Sequence, residues 1–241
     1  MENYKKEIYR NYLSVHVNRM HGNSSVNPTY KIFKQWDNYY LPILKNLDKN
    51  VSILEIGCGN GMFVTYLKER GYVNVRGIDI SDEYLSEGFN RGEKDIFKKD
   101  IFEELHDVES YGLIIAIDVL EHFSKSENYE IFKLIHRKLA FNGYFLFQVP
   151  NGHGLFFNHI YYSDITHETV FSCDIVNQIC GIVGFRSVNV FASGPRLVGL
   201  KGYIRVILWK IITVFAQLCR FLETGLWKSF FSQNIIVYAV K

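Results

Sequence analysis

The apolar stretch Val51-Ser52-Ile53-Leu54-Glu55-Ile56 runs straight into Gly57-Cys58-Gly59-Asn60-Gly61, and this junction restricts the fold more than any other part of the chain. Phe63, Val64 and Leu67 follow at helical spacing, so the segment reads as strand, tight turn and helix. Glycines at such a turn let backbone approach a ligand closely and aim the first N–H groups of the helix at it. A second run over 74–78 ends in Asp79. That acid stands about 20 residues beyond the glycines, where a carboxylate can accept from ribose hydroxyls.

The dinucleotide pattern G-x-G-x-x-G needs a third glycine at position 62, which is Met62; the chain has G-x-G-x-G instead, with Glu55 two residues ahead of Gly57. Further features follow in a fixed order. Asp79 closes the second strand. Asp100-Ile101 follows a short third strand near 95–99, and Asp118-Val119-Leu120-Glu121-His122 follows a fourth over 113–117. Gly143 opens a fifth over 143–149. The ordered set resembles the class I S-adenosylmethionine methyltransferases, over about residues 50–192 plus a final strand over 234–240. The resemblance implies an α/β fold with a Rossmann-like, doubly wound, seven-stranded sheet, mostly parallel, whose antiparallel last strand lies at the edge. It also implies S-adenosylmethionine as cofactor. Gly57, Gly59 and Gly61 would line its methionine end, with Glu55 organising the turn. Asp79 and the adjoining Ile80 would meet the ribose, Asp100 and Ile101 the adenine, and Asp118 and Val119 the methionine part.

At 241 residues the chain suits one α/β domain with additions. A net charge of +2 gives no basic field, so no nucleic-acid partner is expected. Cys58, Cys173, Cys180 and Cys219 show no C-x-x-C spacing and read as reduced thiols, and residues 1–10 are too polar for a leader. Both point to the cytoplasm. The expected divisions are an N-terminal helical extension or lid at 1–49, a core at 50–192 and 234–241, and an apolar helical insertion at 193–233. In the extension, a helix over 4–18 and a flexible link at 20–26 precede Asn27-Pro28, a cap with proline at the first helical position. Ile32, Phe33, Trp36 and Tyr40 then share a helical face that packs on the sheet. As a lid, the extension would bring His16, Arg19 and His21 near the ligand.

Methyl transfer is an in-line displacement in which positioning supplies much of the rate, and a hydroxyl nucleophile also gains from a base. His122 and His167 are the candidate bases. His167 lies in Tyr161-Tyr162-Ser163-Asp164-Ile165-Thr166-His167-Glu168, within an irregular loop from Pro150-Asn151-Gly152 to about residue 172 that also holds His153 and His159. Asp118, Glu121 and His122, with His167 later, resemble the E-x-x-E-H metal pattern of small-RNA 2′-O-methyltransferases and ubiquinone-pathway O-methyltransferases, where Mg²⁺ holds the substrate hydroxyls. Asp118 departs from that pattern by one methylene. No resident metal is therefore expected, with Mg²⁺ as the lesser alternative.

The Pro-Asn-Gly turn, the Asp164-Ile165-Thr166-His167-Glu168 loop and the apolar insertion resemble bacterial methyltransferases of surface-polysaccharide biosynthesis. That implies a sugar hydroxyl, on a nucleotide-sugar or lipid-linked glycan, as acceptor. A second reading is an O-methyltransferase of a lipophilic quinone or other small molecule; a third is an inactive S-adenosylmethionine-binding module. In the insertion, a helix over 203–222 would place Arg205, Lys210, Thr213, Gln217 and Arg220 within an arc of about 140°. Ile207, Leu208, Ile211, Ile212, Val214, Phe215, Leu218 and Leu222 cover much of the rest. Lys210 at mid-helix opposes a membrane span. The expectation is an amphipathic helix on the inner membrane face or over a lipid-like acceptor, the competing one a helix packed on its own domain or in a dimer.

Overall fold

Strands β1 (Ile53–Ile56), β2 (Val75–Asp79), β3 (Ile96–Lys98), β4 (Tyr111–Ile117), β5 (Leu139–Pro150), β6 (Ser187–Ala192) and β7 (Asn234–Val240) form one sheet in the order β3-β2-β1-β4-β5-β7-β6. The computed structural model describes residues 8, 29–107, 109–195, 199–227 and 229–241. The helix expected over 4–18 falls outside them except at residue 8, as do the 20–26 link, the Asn27-Pro28 cap, His16, Arg19 and His21. β1 pairs in parallel with β2 and β4, β2 with β3, and β4 with β5, while β7 runs antiparallel to both β5 and β6.

β7 is not the edge strand that was expected. It lies between β5 and β6, and β6 takes the edge. The burial patterns give the reason. Ile235, Ile236 and Val237 are consecutive and buried on both faces, which suits an interior strand, whereas β6 has no buried residue.

Helices α1 (Thr29–Tyr39), α2 (Leu41–Leu44), α3 (Met62–Glu69) and α4 (Asp82–Asn90) precede β3; α5 (Ile101–His106) and α6 (Lys125–Lys138) flank β4. A short α7 (Phe157–Tyr161), α8 (Cys173–Val183) and the long α9 (Gly199–Thr224) complete the described helices. Alternate strand residues feed two cores. Leu54, Ile56, Ile114, Ala116, Phe145 and Phe147 pack with Ile131, Phe132 and Ile135 of α6 and with Val176 and Cys180 of α8. Ile53, Leu113, Ile115 and Leu146 pack on the other face with Phe63, Val64 and Leu67 of α3 and with Leu85 of α4. Trp36 and Phe33 of α1 meet Phe63 and Tyr66 edge-on, at centroid separations of 4.9 and 5.3 Å. A two-pronged Asp37–Arg70 contact at 2.8 and 2.9 Å fixes the same junction.

Winding reverses between β1 and β4, so the loops after β1, β2, β3 and β4 open at one edge around a switch point. β6 shares the direction of those strands and β7 opposes it. The segment that leaves Ala192 and returns at Asn234, α9 included, therefore springs from that same edge.

Candidate functional site

A cleft of about 830 Å³ lies at this edge. Its floor is the turn after β1. Gly57 adopts φ +66°, and a Cβ there would stand 2.4 Å from Val119 Cγ2, so the turn can approach Val119 only as glycine. The Gly59 N–H donates to Asp79 Oδ2 and the Ser81 N–H to Asp79 Oδ1, both at 2.8 Å. One carboxylate thus ties the glycine turn to the start of α4, and each of its oxygens keeps acceptor capacity for a ligand hydroxyl. Burial raises its pKa, against those N–H contacts. Glu55 is only 3% exposed and its Oε2 has no hydrogen-bond partner. Burial first, and then the nearby Asp79 charge, pushes it well above the usual carboxylate range. Burial likewise pushes up the Cys58 thiol, which makes it packing material rather than a nucleophile.

The next wall follows β4. Asp118 has φ +54°, a left-handed conformation that aspartate tolerates better than most residues. A polar line runs under it. The Tyr40 hydroxyl donates to Gln148 Oε1 at 2.7 Å, and Gln148 Nε2 reaches both Asp118 oxygens at 3.0 Å. Tyr40 therefore fixes which way the Gln148 amide faces. Asn234 Nδ2 adds a contact to Asp118 Oδ1 at 3.3 Å, bringing the first residue of β7 to the site. Burial pushes the Asp118 carboxyl up to about 6, with Gln148 opposing. The surface it turns to the cleft is open to solvent, which moderates the shift in the free chain.

The third wall joins the segment after β4 to the loop after β5. Backbone N–H groups of Glu168 and Thr169 donate to the Glu121 carbonyl at 2.8 and 3.1 Å, holding the loop against the short 3₁₀ turn Leu120–His122. His122 Nδ1 lies 2.8 Å from Thr166 Oγ1, whose own proton goes to Asp164 Oδ1 at 2.6 Å. With its single proton committed to Asp164, the Thr166 hydroxyl can only accept from His122, which places the ring proton on Nδ1 and makes Nε2 the basic nitrogen. His167 Nδ1 meets the Tyr161 carbonyl at 3.1 Å, an acceptor only, so its tautomer is the same. The two imidazole centroids are 4.9 Å apart. Glu121 is 2% exposed with Oε2 unpartnered, and burial, followed by the Asp118 charge, pushes it well above the carboxylate range. Glu121, His122 and His167 can each bring one ligand atom within 4.8 Å of the others'; Asp118 stands outside this group.

Glu55, Gly57, Gly59, Asp79, Ile80, Asp100, Ile101, Asp118, Val119, His122 and His167 all line the cleft. Gly61 does not. Its left-handed backbone (φ +72°) caps α3, and a Cβ there would meet Ile96 Cγ2 at 2.7 Å, so it serves the packing of α3 against β3. Asp100 also caps α5, accepting from the Phe102 N–H at 2.8 Å. His159 lines the cleft and His153 does not. Trp36, Tyr84, Lys99 and Asp164 line it as well, and Thr166 and Gln148 support it from behind. The sequence held a signal for Gln148, a polar residue inside the apolar run of β5.

Residues 29–189 match a protein-family model described as a methyltransferase domain. Among curated proteins the chain is similar to a ubiquinone biosynthesis O-methyltransferase from Rickettsia bellii, 32% identical over 99 residues, covering 38% of this chain and 41% of that one. The chain thus spans about two fifths of the length of that relative. Among solved structures it is similar to a SAM dependent methyltransferase from Archaeoglobus fulgidus (TM-score 0.64, 22% identity, covering 88% of this chain and 94% of that one). It is also similar to magnesium protoporphyrin IX methyltransferase from Synechocystis PCC 6803 with bound SAH (TM-score 0.60, 15% identity, covering 98% and 99%). At those identities the two structures show a shared fold.

Proposed function

We infer that this chain, which belongs to the methyltransferase-domain family, is an S-adenosylmethionine-dependent methyltransferase, and we propose that its acceptor atom is a hydroxyl oxygen. The cleft fits the cofactor: Gly57 and Gly59 present backbone without side chains on its floor, and the buried Glu55 Oε2 lacks a partner on the cleft wall. Asp79 would hold the ribose hydroxyls, Asp100, Ile101 and Tyr84 would surround the adenine, and Asp118 would face the cationic methionine end. When bound, the cofactor supplies an electrophilic methyl group. The protein's part is to place the acceptor in line with it and to take the hydroxyl proton.

The observation that carries the hydroxyl reading is His122, whose Nδ1 proton is engaged by Thr166, itself held by Asp164, while the ring lines the cleft beside His167. An imidazole held in that tautomer suits proton removal from an alcohol or phenol, a need that an amine acceptor entering as a free base does not share. Two acceptor classes meet these requirements. A lipophilic quinol or similar phenol is supported by the likeness to the ubiquinone-pathway enzyme. A sugar hydroxyl of a surface polysaccharide is supported by the loop motifs that resemble those of glycan methyltransferases. Labelled cofactor offered with a panel of quinol analogues and sugar nucleotides separates them. Transfer to hydroxyl acceptors, lost in His122→Ala with cofactor affinity retained, is the expected result. Transfer to amines alone would overturn the proposal.

A second reading rests on the unpartnered Glu121 Oε2 beside the two imidazoles. A carboxylate with two nitrogen donors suits Zn²⁺, Fe²⁺ or Mn²⁺ better than Mg²⁺, and such an ion would hold the acceptor hydroxyl and lower its pKa.

A further inference from the structure

α9 is turned inside out for a helix of a water-soluble domain. Lys210, Thr213 and Gln217, three members of its polar arc, face back toward the domain. With Val206 and Trp209 they line a groove of about 520 Å³ against Ala192, Gly194, Phe230 and Phe231. The opposite face carries Ile204, Leu208, Ile211, Phe215, Leu218 and Leu222, and it is open: Ile211 is 62% and Phe215 68% exposed. These positions recur at helical spacing along almost the whole element, and Gly202 is the one residue of α9 that is buried. The packing expected of a helix that belongs to its own core is absent from this face. Twenty-six residues correspond to about 39 Å of helix, a continuous apolar strip far larger than scattered surface residues leave.

The charges say what covers it. Lys201 and Arg205 flank the apolar face on the first turns of α9, which carries one acid, Glu223, while Lys210 faces the domain. A second copy packed face to face on this helix offers these cations no more than one acid per helix. An anionic lipid surface neutralises them instead, while long cationic side chains keep their heads at the headgroups and let the apolar face sink. No described helix is long and apolar enough to cross a membrane, which leaves the surface geometry.

The helix is also continuous with the cleft rim. Phe156, in the loop that supplies His159, Ser163 and His167 to the cleft, packs on Trp209 of α9 with centroids 6.4 Å apart. Phe156, Tyr162 and Ile165 of that loop are exposed as well. We propose that α9 is an interfacial helix that docks the chain on an anionic bilayer, its outward apolar face among the headgroups, so that the rim of the cleft rests against the lipid surface. This goes beyond the methyl-transfer reading and does not depend on it, because docking is measured without turnover.

The test is flotation of the full chain with vesicles of phosphatidylglycerol and phosphatidylcholine, against vesicles of phosphatidylcholine alone. Binding to the anionic vesicles is expected, falling at least fivefold in high salt and in Lys201→Glu plus Arg205→Glu. Ile211→Asp plus Phe215→Asp should abolish it while circular dichroism and Tm stay unchanged, because both side chains are exposed in the free chain. Failure of the wild-type chain to float with anionic vesicles overturns the proposal. So does sedimentation showing a dimer that Ile211→Asp plus Phe215→Asp dissociates, in a chain that ignores vesicles; that result gives the face to a second copy.

Discussion

The Thr166 hydroxyl holds His122 by Nδ1 at 2.8 Å because its own proton is committed to Asp164. Thr166 is fully buried and Asp164, at the cleft, is only 7% exposed. Their joint effect is to set the tautomer and angle of a ring that lines the cleft. Thr166→Val keeps the volume and removes the hydroxyl. Turnover should fall roughly tenfold to a hundredfold with cofactor affinity unchanged, as for loss of an oriented base. Thr166→Ser should restore most of it. Steady-state kinetics with calorimetric cofactor binding reads both, and equal losses in the Val and Ser variants would refute the positioning role.

That relay shows where sequence reading stops. His122 and His167 could be singled out because histidines in such places have few uses, but the 44-residue separation of His122 from Thr166 hides their contact. The strand and helix order was legible from apolar runs and glycine turns, and β7 follows its expected bounds. β5 begins at Leu139 instead of 143 because Asn142, at φ +59°, takes up an irregularity within the strand where Asn142-Gly143 reads as a break. α5 was missed although Asp100 at its cap, with Glu103 and Glu104 in the first turn, is a helix-start signal. A helical wheel separated the two faces of α9 but could not tell which would turn to the protein, since that depends on where β6 and β7 leave the ends of the insertion.

Gly57→Ala asks two things of one turn. The residue sits at φ +66°, and the added Cβ would lie 2.4 Å from Val119 Cγ2. Strain of about 1–3 kcal/mol is expected from such a conformation in a non-glycine residue. Tm should drop by several degrees, and affinity for S-adenosylhomocysteine should drop further than for a surface variant of equal stability. Thermal unfolding and calorimetry decide it; unchanged affinity would remove Gly57 from the cofactor cradle.

Asp118 gives a pH signature. Its carboxyl titrates at about 6 in the folded chain against an ordinary 3.8, chiefly through burial. Between those values the folded chain holds a proton that the unfolded chain has released. The relative stability present below 3.8 is therefore lost as pH rises through about 6. A shift of this size corresponds to roughly 3 kcal/mol. The solvent-facing side of the carboxyl reduces that to about 1 kcal/mol in the free chain. Asp118→Asn does not titrate, so its Tm relative to wild type should be higher at pH 7.5 than at pH 4.5. The same carboxylate, ionised above about 6, should make cofactor binding tighten with pH in wild type and not in the variant. A Tm difference that is flat across this range would contradict the assignment.

Glu121→Gln separates the two readings of the histidine pair. Burial, then the Asp118 charge, pushes the Glu121 carboxyl well above the carboxylate range and favours the neutral acid, and Oε2 has no partner. Glutamine has nearly the shape of that neutral acid. If His122 acts as a base without a metal, Glu121→Gln should keep Tm within about 1 °C of wild type or raise it, since one costly buried ionisation is gone. Turnover should stay within severalfold, and EDTA should change neither protein. If Glu121, His122 and His167 hold a divalent cation, the ion stabilises the ionised carboxylate, and exchange for a neutral amide removes the one anionic ligand of the group. Elemental analysis would then find metal in wild type and little in the variant, and EDTA would lower wild-type Tm and turnover together. The metal-free outcome is the one expected, because Asp118, the further oxygen donor that a Mg²⁺ site of this pattern would use, stands outside the group and is engaged with Gln148.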